Sequence, residues 1–368
     1  MKTIRRLIYG EVLYAVMFVT LAFLSLFFFF DLVEEIQSIG GHAAAGYGLV
    51  HALTYVALMI PSHLYELLPI AVLIGTIFVM AGFAQSSEFT ILRTSGLGPW
   101  RALRTLLMLG LGFVLLTFAI GDYVSPVADR TGQLLKARYQ GRITVGQTGA
   151  WLKEKQRYAQ YAVNVNSLES DGSMREVRIF EFDNQGFLMS MVHAQTATYG
   201  SDDAWALKQV DRTEFPERGT DTARIERTHM DSFRWPNQIS SEMVSAALLK
   251  PERMSTIDLF EYIRHLDVNG QSAQRYEIEF WKKVFYPLSC LVMVVLALPF
   301  AYLHFRSGGI ATYVFGGVMA GISFFLLNNV FGYIGNLQSW QPWLTAALPG
   351  MIYSLLSLTA FGWLVLRR

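Results

Sequence analysis

The fold is decided by residues 64–96, which read LYELLPIAVLIGTIFVMAGFAQSSEFTILRTSG. The first part, Leu64–Ala84, is almost wholly apolar and has the length of a membrane-spanning helix, which needs roughly 20 such residues. The second part, Ser86–Gly96, is polar and carries the terminal signals of a short helix. Another apolar run begins at Ala102. The sequence therefore predicts a short charged helix between two membrane spans.

The ends of this short helix are marked by several residues. Ser86 or Ser87 is predicted to cap the free N–H groups at its start. Glu88 lies where the helix dipole favours an acid, and Arg93 lies toward the end that favours a base. Gly96 is predicted to close the helix.

The composition of the chain is that of a membrane protein. Of its 368 residues, 52% are hydrophobic and 16% are charged, whereas about 25% charged residues are usual in soluble domains. The formal net charge of +1 provides no global basic field, which argues against nucleic acid as a partner. Cys290 is the single cysteine, which excludes a disulfide framework and a cysteine metal cluster.

Six apolar runs are long enough for helical spans. They are Val12–Phe30, Leu64–Ala84, Ala102–Tyr123, Val284–Phe305, Ile310–Ile334 and Trp343–Leu366. Among the short connections and the termini, Lys and Arg occur on alternate sides, whereas residues 34–53 and 335–342 contain neither. By the positive-inside rule, both termini and the short helix at residues 86–96 are predicted to be cytoplasmic. The first run, of about 19 residues, exceeds the core of a cleavable signal, so we expect it to be retained.

An all-β domain is predicted at residues 125–254, outside the membrane and between the third and fourth spans. Alternating patterns at residues 161–165, 177–182 and 224–228 are typical of strands, and turn signals separate them. A sandwich or a jelly-roll-like fold is expected. Amphipathic connecting helices follow at residues 255–283, and the first begins with a capping box. The predicted protein is α-helical and integral to the membrane, with three spans in residues 1–124 and three in 284–368.

Catalytic and metal-binding motifs are absent from the sequence. There is no phosphate-binding loop, no H-E-x-x-H, no G-x-S-x-G and no spaced Cys/His set. The chain is therefore predicted to have no catalytic residue, metal or cofactor of its own. His63 and Glu66, near the predicted outer end of the second span, are the groups that a proton-coupled carrier would use. Simple hydration at the membrane surface is the alternative for both.

Basic residues surround the predicted outer ends of the third and fourth spans, namely Lys136, Arg138, Arg142, Lys282 and Lys283. Such a group suits the phosphate of an anionic lipid head group. Ordinary snorkelling to phospholipid is the alternative. On the fifth span, Gly317 and Gly321 form a G-x-x-x-G pattern that allows close helix approach, either within the chain or at an interface.

These features together resemble the LptF/LptG permease family of the lipopolysaccharide exporter of Gram-negative bacteria. The segments that carry the resemblance are Tyr65–Gly75, Ser87–Gly96, Ala119–Pro126, Gly149–Trp151, Arg275, Tyr276, Lys283 and Pro287–Ser289. The resemblance covers nearly the whole chain, including the 3 + 3 spans and the β domain, and it is nearer to the LptG branch.

The resemblance implies a permease subunit of an ATP-driven ABC transporter in the inner membrane. An LptF-like permease would pair with it, and two LptB-like ATPase subunits would bind the ATP and magnesium. An LptC-like single-span protein and a periplasmic LptA-like bridge would receive lipopolysaccharide from the periplasmic β domain.

The resemblance also gives the short helix a role. Residues 86–96 would be the coupling helix that lies in a groove of the ATPase. Its contacts are expected from Ser87, Glu88, Phe89, Ile91, Leu92 and Arg93. Glu88 would make the ionic contact, and the apolar side chains would supply buried area.

One feature departs from the family pattern. Family members carry basic residues near the outer end of the first span, whereas this chain has Asp31, Glu34 and Glu35 there. Phosphate capture by this helix is therefore not expected, and Lys136 with its basic neighbours or the partner permease would take that task. The alternative function is a structural membrane anchor whose β domain docks a periplasmic partner, without a transport path of its own.

Overall fold

The computed structural model describes residues 2–42, 47–140, 150–156, 159–169, 172–200, 204–216, 224–237, 239, 243–244, 251–302 and 310–363. These residues form two compact units. The helical unit comprises Met1–Glu34, Val56–Ala128 and Glu277–Arg368. The sheet unit comprises Glu35–Tyr55 and Asp129–Tyr276.

Helices make up most of the described chain. The α-helices are α1 (Lys2–His42), α2 (Leu49–Gln85), α3 (Glu88–Thr94), α4 (Pro99–Ala119), α5 (Ser125–Gln140), α6 (Thr256–Val268), α7 (Gln274–Phe285), α8 (Ser289–Ala297), α9 (Ile310–Leu337) and α10 (Pro342–Phe361). A π-helical turn, Ile120–Val124, joins α4 to α5, and the 3₁₀ turn Leu298–Tyr302 follows α8.

Within the described residues, six helical segments are long and apolar enough to cross a membrane, as the sequence predicts. They are Thr3–Gln37, Leu49–Gln85, Pro99–Lys136, Gln274–Tyr302, Ala311–Leu337 and Pro342–Phe361. The helices extend well beyond the apolar runs, because an apolar run marks membrane thickness and not the end of backbone hydrogen bonding. The connection predicted at residues 34–53 is consequently mostly helical. Residues 125–140, predicted to belong to the β domain, form α5 instead.

The spans of the helical unit differ in how much of their surface the unit covers. In α2, 83% of the most apolar 18-residue window is buried, compared with 22% in α1 and 17% in the fifth span. A helix that is apolar all round and buried forms the centre of a bundle. Here α2 is that centre, and α1 and α9 leave apolar faces such as those at Phe18 and Phe315 open.

The sheet unit contains one antiparallel six-stranded sheet, which confirms the predicted β domain between the third and fourth spans. Its strands are β1 (Ala150–Lys155), β2 (Gln160–Leu168), β3 (Met174–Phe182), β4 (Leu188–Tyr199), β5 (Ala204–Glu214) and β6 (Glu226–Pro236). They are hydrogen-bonded in chain order, from β1 to β6. The three predicted strand segments fall in β2, in β3 and at the start of β6.

In strands β2 to β6, the alternation of inward and outward side chains is interrupted at matching positions of neighbouring strands. We name this line across the sheet the crease. Successive inward side chains there are three residues apart instead of two: Val165 and Leu168, Met174 and Val177, Ala194 and Ala197, Leu207 and Val210, Met230 and Phe233. The register is unchanged across the crease, because the extra residues of neighbouring strands lie opposite one another. Two of them, Glu176 and Gln209, have φ of 50° and 51°. Left-handed residues within strands bend the sheet along this line.

Helix α6 begins with the predicted capping box. The Asp258 N–H donates to the Ser255 hydroxyl oxygen at 3.1 Å, and the Ser255 N–H donates to the Asp258 carboxylate at 3.2 Å. Gly270, with φ of 63°, follows the helix. Burial lowers the pKa of His265 in the last turn, so this imidazole stays neutral at neutral pH.

Candidate functional site

Helix α3 joins the second and third spans and has two different faces. Phe89 is 3% exposed, and Leu92 packs against the same core. Ile91 is 63% exposed, and Glu88 is exposed as well. Residues three or four apart share a helix face. Helix α3 therefore presents Glu88 and Ile91 outward and is held to the chain by its other side.

The start of α3 is not capped by a serine side chain, so the prediction for Ser86 or Ser87 was wrong. Ser87 occupies the N-cap position with φ of 61°, and its side chain makes no capping hydrogen bond. The Ser86 hydroxyl donates instead to the Gly82 carbonyl oxygen of α2 at 3.1 Å. A left-handed backbone is uncommon at a residue with a Cβ. Here it makes the sharp turn from α2 into α3.

The end of α3 is closed by Gly96, as predicted, in a Schellman motif. The Gly96 N–H donates to the Arg93 carbonyl oxygen and the Leu97 N–H to that of Leu92, both at 3.0 Å. Gly96 has φ of 99°, and Leu97 is buried as this motif favours. The Arg101 guanidinium donates to the Gly96 carbonyl oxygen at 3.0 Å. Both ends of α3 are thus fixed by backbone geometry.

Tyr302, at the end of the fourth span, is the residue on which α3 rests. The Phe89 ring meets the Tyr302 ring edge to face, with centroids 4.9 Å apart and an interplanar angle of 74°. The Arg93 guanidinium carbon lies 5.2 Å from the Tyr302 ring centroid, within cation–π range. The family resemblance implies Phe89 and Arg93 as contacts to an ATPase, and this stays a prediction; in the structure both side chains also pack on Tyr302 of their own chain. The core covers Phe89 because it lies on the inner face of α3.

A polar cluster in the sheet unit, which we name the Glu35 cluster, consists of Glu35, Tyr47, Tyr55 and Lys136. Glu35 is 4% exposed. The Lys136 ammonium donates to one of its carboxylate oxygens at 2.9 Å, and the Tyr47 hydroxyl donates to the other at 2.8 Å. The Lys136 ammonium also lies 4.6 Å from the Tyr55 ring centroid. Lys136, predicted to bind phosphate, therefore has an acidic partner within the chain.

His51 and Tyr139 extend the Glu35 cluster beside Tyr47. Burial and the adjacent Glu35 raise the pKa of Tyr47, so its hydroxyl remains a donor. The Gly48 N–H donates to His51 Nδ1 at 3.2 Å. In the neutral ring the proton is then on Nε2, which donates to the Tyr139 hydroxyl oxygen at 2.7 Å.

Of the remaining predicted phosphate ligands, Lys283 is the most deeply placed. It is 8% exposed, its ammonium donates to the Gly121 carbonyl oxygen at 2.8 Å, and it lies 5.6 Å from the Tyr65 ring centroid. Gly121 belongs to the π-helical turn, where the regular α-helical bonding pattern is interrupted. Lys283 supplies a donor at that point. A Cβ at Gly121 would overlap the Tyr65 ring, so this joint requires glycine.

Lys282 also has its contacts within the chain. Its ammonium donates to a Glu279 carboxylate oxygen at 2.7 Å. The same ammonium lies close to Gly332, where a Cβ would stand 2.5 Å from it. The side chain of Arg138, in α5, and the whole of Arg142 lie outside the described part of the chain. Phosphate binding by these five residues stays a prediction.

The glycines predicted for helix packing face α2. A Cβ on Gly317 would stand 2.7 Å from Ile77, and one on Gly321 would stand 2.7 Å from Ile70. Of the two uses that the sequence leaves open, the structure assigns these glycines to packing within the chain.

His63 and Glu66, the predicted groups for a proton-coupled carrier, lie in different surroundings. His63 Nε2 is 2.6 Å from an Asp31 carboxylate oxygen, and the Phe27 ring stacks on the imidazole at 4.9 Å. Glu66 is exposed, and its backbone carbonyl oxygen accepts a hydrogen bond from the Tyr286 hydroxyl. The carboxylate that His63 contacts is thus that of Asp31. Among the described residues, no group of three or more His, Cys, Asp or Glu could hold a metal ion.

Tyr302 and Glu35 are the residues of these sites that sequence reasoning missed. The sequence gives no signal for Tyr302, because tyrosines are common at the ends of membrane spans. For Glu35 a signal exists. Acidic residues end the first span and basic residues end the third, at the same predicted depth, and opposite charges at one depth favour pairing.

Known proteins resemble this chain over nearly its whole length. The sequence profile of the family described as lipopolysaccharide export system permease LptF/LptG matches residues 6–366. The chain is 28% identical over 355 residues to the lipopolysaccharide export system permease protein LptG of Escherichia coli strain K12, covering 95% of each chain. It is 26% identical over 370 residues to the protein of the same name from Haemophilus influenzae, covering 100% of this chain and 99% of the other. The chain therefore belongs to the LptF/LptG family of lipopolysaccharide export system permeases.

Proposed function

We propose that this chain is the LptG-type permease subunit of an ATP-driven transporter. The transporter extracts lipopolysaccharide from the inner membrane and passes it to a periplasmic β bridge. The observation that carries the proposal is α3. This helix is fixed at both ends and along its inner face, and it offers Glu88 and Ile91 to a partner. A rigid, charged helix between two spans is suited to receive movement from a separate engine.

Each subunit of the proposed transporter has a separate role. Two LptB-like subunits bind ATP and magnesium and contact the outward face of α3. An LptF-like permease packs on the open apolar faces of α1 and α9. An LptC-like protein and an LptA-like bridge continue the path from the sheet unit. In this topology both termini are cytoplasmic, and the sheet unit is in the periplasm.

The contact with the lipid phosphates is proposed at Lys136. Its side chain is 29% exposed, whereas the Glu35 side chain that it contacts is 5% exposed. A phosphate reaching Lys136 therefore competes with Glu35 from the accessible side. Lys283, which is buried against Gly121, would need a rearrangement of the π-helical turn to do the same.

The function is tested at Glu88. We expect Glu88→Gln to uncouple ATP hydrolysis from lipopolysaccharide release in vesicles that contain both permeases and the ATPase. Glu261→Gln, which replaces an exposed glutamate on α6, is the matched control. Release that is unchanged by Glu88→Gln would remove Glu88 from the coupling contact.

Purification of the chain from native membranes in mild detergent separates the proposed function from its alternative. Recovery of an ATPase, a second six-span permease and lipopolysaccharide is expected. Recovery of the chain alone, with ordinary phospholipid, would contradict the transporter and favour a structural anchor.

A further inference from the structure

The contact between α3 and Tyr302 connects two parts of the chain that are far apart in sequence. Helix α3 lies between the second and third spans, whereas Tyr302 ends the fourth. We propose that Tyr302 is a positioning residue that transmits movement of α3 to the second group of three spans. This inference rests on the proposed function, in which α3 is the element that the ATPase moves.

Two side chains of α3 hold the same ring. Phe89 meets the Tyr302 ring with its edge, and Arg93, one helical turn later, lies at cation–π distance from it. Residues four apart lie on one helix face. A helix held at two points one turn apart cannot rotate or slide without moving the ring that it holds.

The helix itself does not absorb the movement. Its start is fixed by the left-handed backbone at Ser87, and its end by the Schellman motif at Gly96. Leu97, just after this motif, is buried in the same core as Phe89 and Tyr302. A displacement of α3 therefore reaches Tyr302 as the displacement of one body.

Tyr302 is buried at the end of the fourth span, together with its neighbours. Tyr302 is 3% exposed, and its neighbours Leu298 and Ala301 in the 3₁₀ turn are buried as well. Close-packed interiors pass a displacement on instead of deforming gradually. The fourth span is thus the first element of the second half that follows α3.

The inference is tested with Tyr302→Ala, Tyr302→Phe and the control Tyr313→Ala in the complete transporter. Tyr313 is a tyrosine at the start of the fifth span whose ring packs on Phe300. ATP hydrolysis and lipopolysaccharide release are measured on the same vesicles. In Tyr302→Ala we expect the release per ATP to fall about tenfold, while hydrolysis stays within about twofold. Tyr302→Phe keeps the ring and should restore the wild-type ratio, and Tyr313→Ala should keep it.

The other outcomes decide against the inference. An unchanged ratio in Tyr302→Ala, or an equal fall in hydrolysis and release, would show that the contact does not transmit movement. If Tyr302→Ala does not assemble, Tyr302→Leu and Arg93→Gln are measured in the same way, and wild-type ratios in both would overturn the inference. Absence of ATP-dependent release in the wild-type transporter would overturn the proposed function first, and that result needs no variant.

Discussion

Replacing Lys136 with methionine tests whether an ion pair holds the Glu35 cluster together. Methionine retains an unbranched side chain beside Tyr55 but removes the ammonium that lies 2.9 Å from the Glu35 carboxylate. The Glu35 side chain is 5% exposed and that of Lys136 is 29% exposed. Lys136→Met therefore leaves the Glu35 carboxylate unpaired where water scarcely reaches it. Glu35→Gln leaves the Lys136 ammonium, which water does reach. The two replacements are expected to differ in cost.

The magnitudes follow from this asymmetry. Breaking a buried ion pair costs about 3–5 kcal/mol, and Lys136→Met should cost about 3 kcal/mol, because Glu35 keeps its hydrogen bond from Tyr47. Glu35→Gln should cost about 1 kcal/mol, as for an accessible pair. The double variant should cost about 1–2 kcal/mol, because neither charge remains. At about 2–4 °C per kcal/mol in a domain of this size, Lys136→Met lowers the Tm by about 6–12 °C.

Thermal unfolding of the full chain in detergent, followed by tryptophan fluorescence, measures these differences. Arg130→Met is the control, since Arg130 is an exposed cation on the same helix, and it should change the stability by no more than about 0.5 kcal/mol. Equal losses from Lys136→Met and Glu35→Gln would refute the argument from exposure. A double variant whose loss equals the sum of the single losses would show that the two charges do not interact.

Three further predictions concern packing, pH and capping. Gly321→Val should destabilise the helical unit by about 1–3 kcal/mol, because its Cβ would stand 2.7 Å from Ile70. A Cβ on Gly316 would have nothing within 4 Å, so Gly316→Val should lack this steric cost when unfolding of the two variants is compared. The lowered pKa of His265 means that the unfolded chain takes up a proton that the folded chain does not. Unfolding temperatures should therefore fall with pH below about 6.5, and His265→Gln should weaken that dependence. Ser255→Ala removes the capping box of α6 and should cost about 1 kcal/mol in denaturant unfolding.

The elements that the sequence predicts best are those with a strong local signal. Leu64–Ala84 is apolar over a membrane thickness, Gly96 is followed by a buried leucine, and Ser255 lies three residues before Asp258. Each of these patterns acts through neighbouring residues alone. The six spans, the end of α3 and the start of α6 could therefore be predicted without knowledge of the fold.

The features that escaped prediction depend on residues far apart in the chain. Phe89 is an inward residue only because Tyr302 lies beside it, and Lys283 finds its acceptor in Gly121, which is 162 positions earlier. The apolar runs also do not show where a helix ends, so α5 was predicted as part of the β domain. Tertiary packing decides which group a charged side chain contacts, and the sequence alone is compatible with several such partners.

The crease constrains how the β domain can gain or lose residues over evolutionary time. Deleting one extra residue, such as Glu176, would return β3 to regular two-residue alternation and shift its pairing register by one residue beyond that point. The neighbouring strands would keep their own extra residues, and their pairing with β3 would fail. The extra residues at the crease can therefore be inserted or deleted only as a set. Length variation among related chains is expected instead in the turns, such as residues 184–186, where no second strand has to change with it.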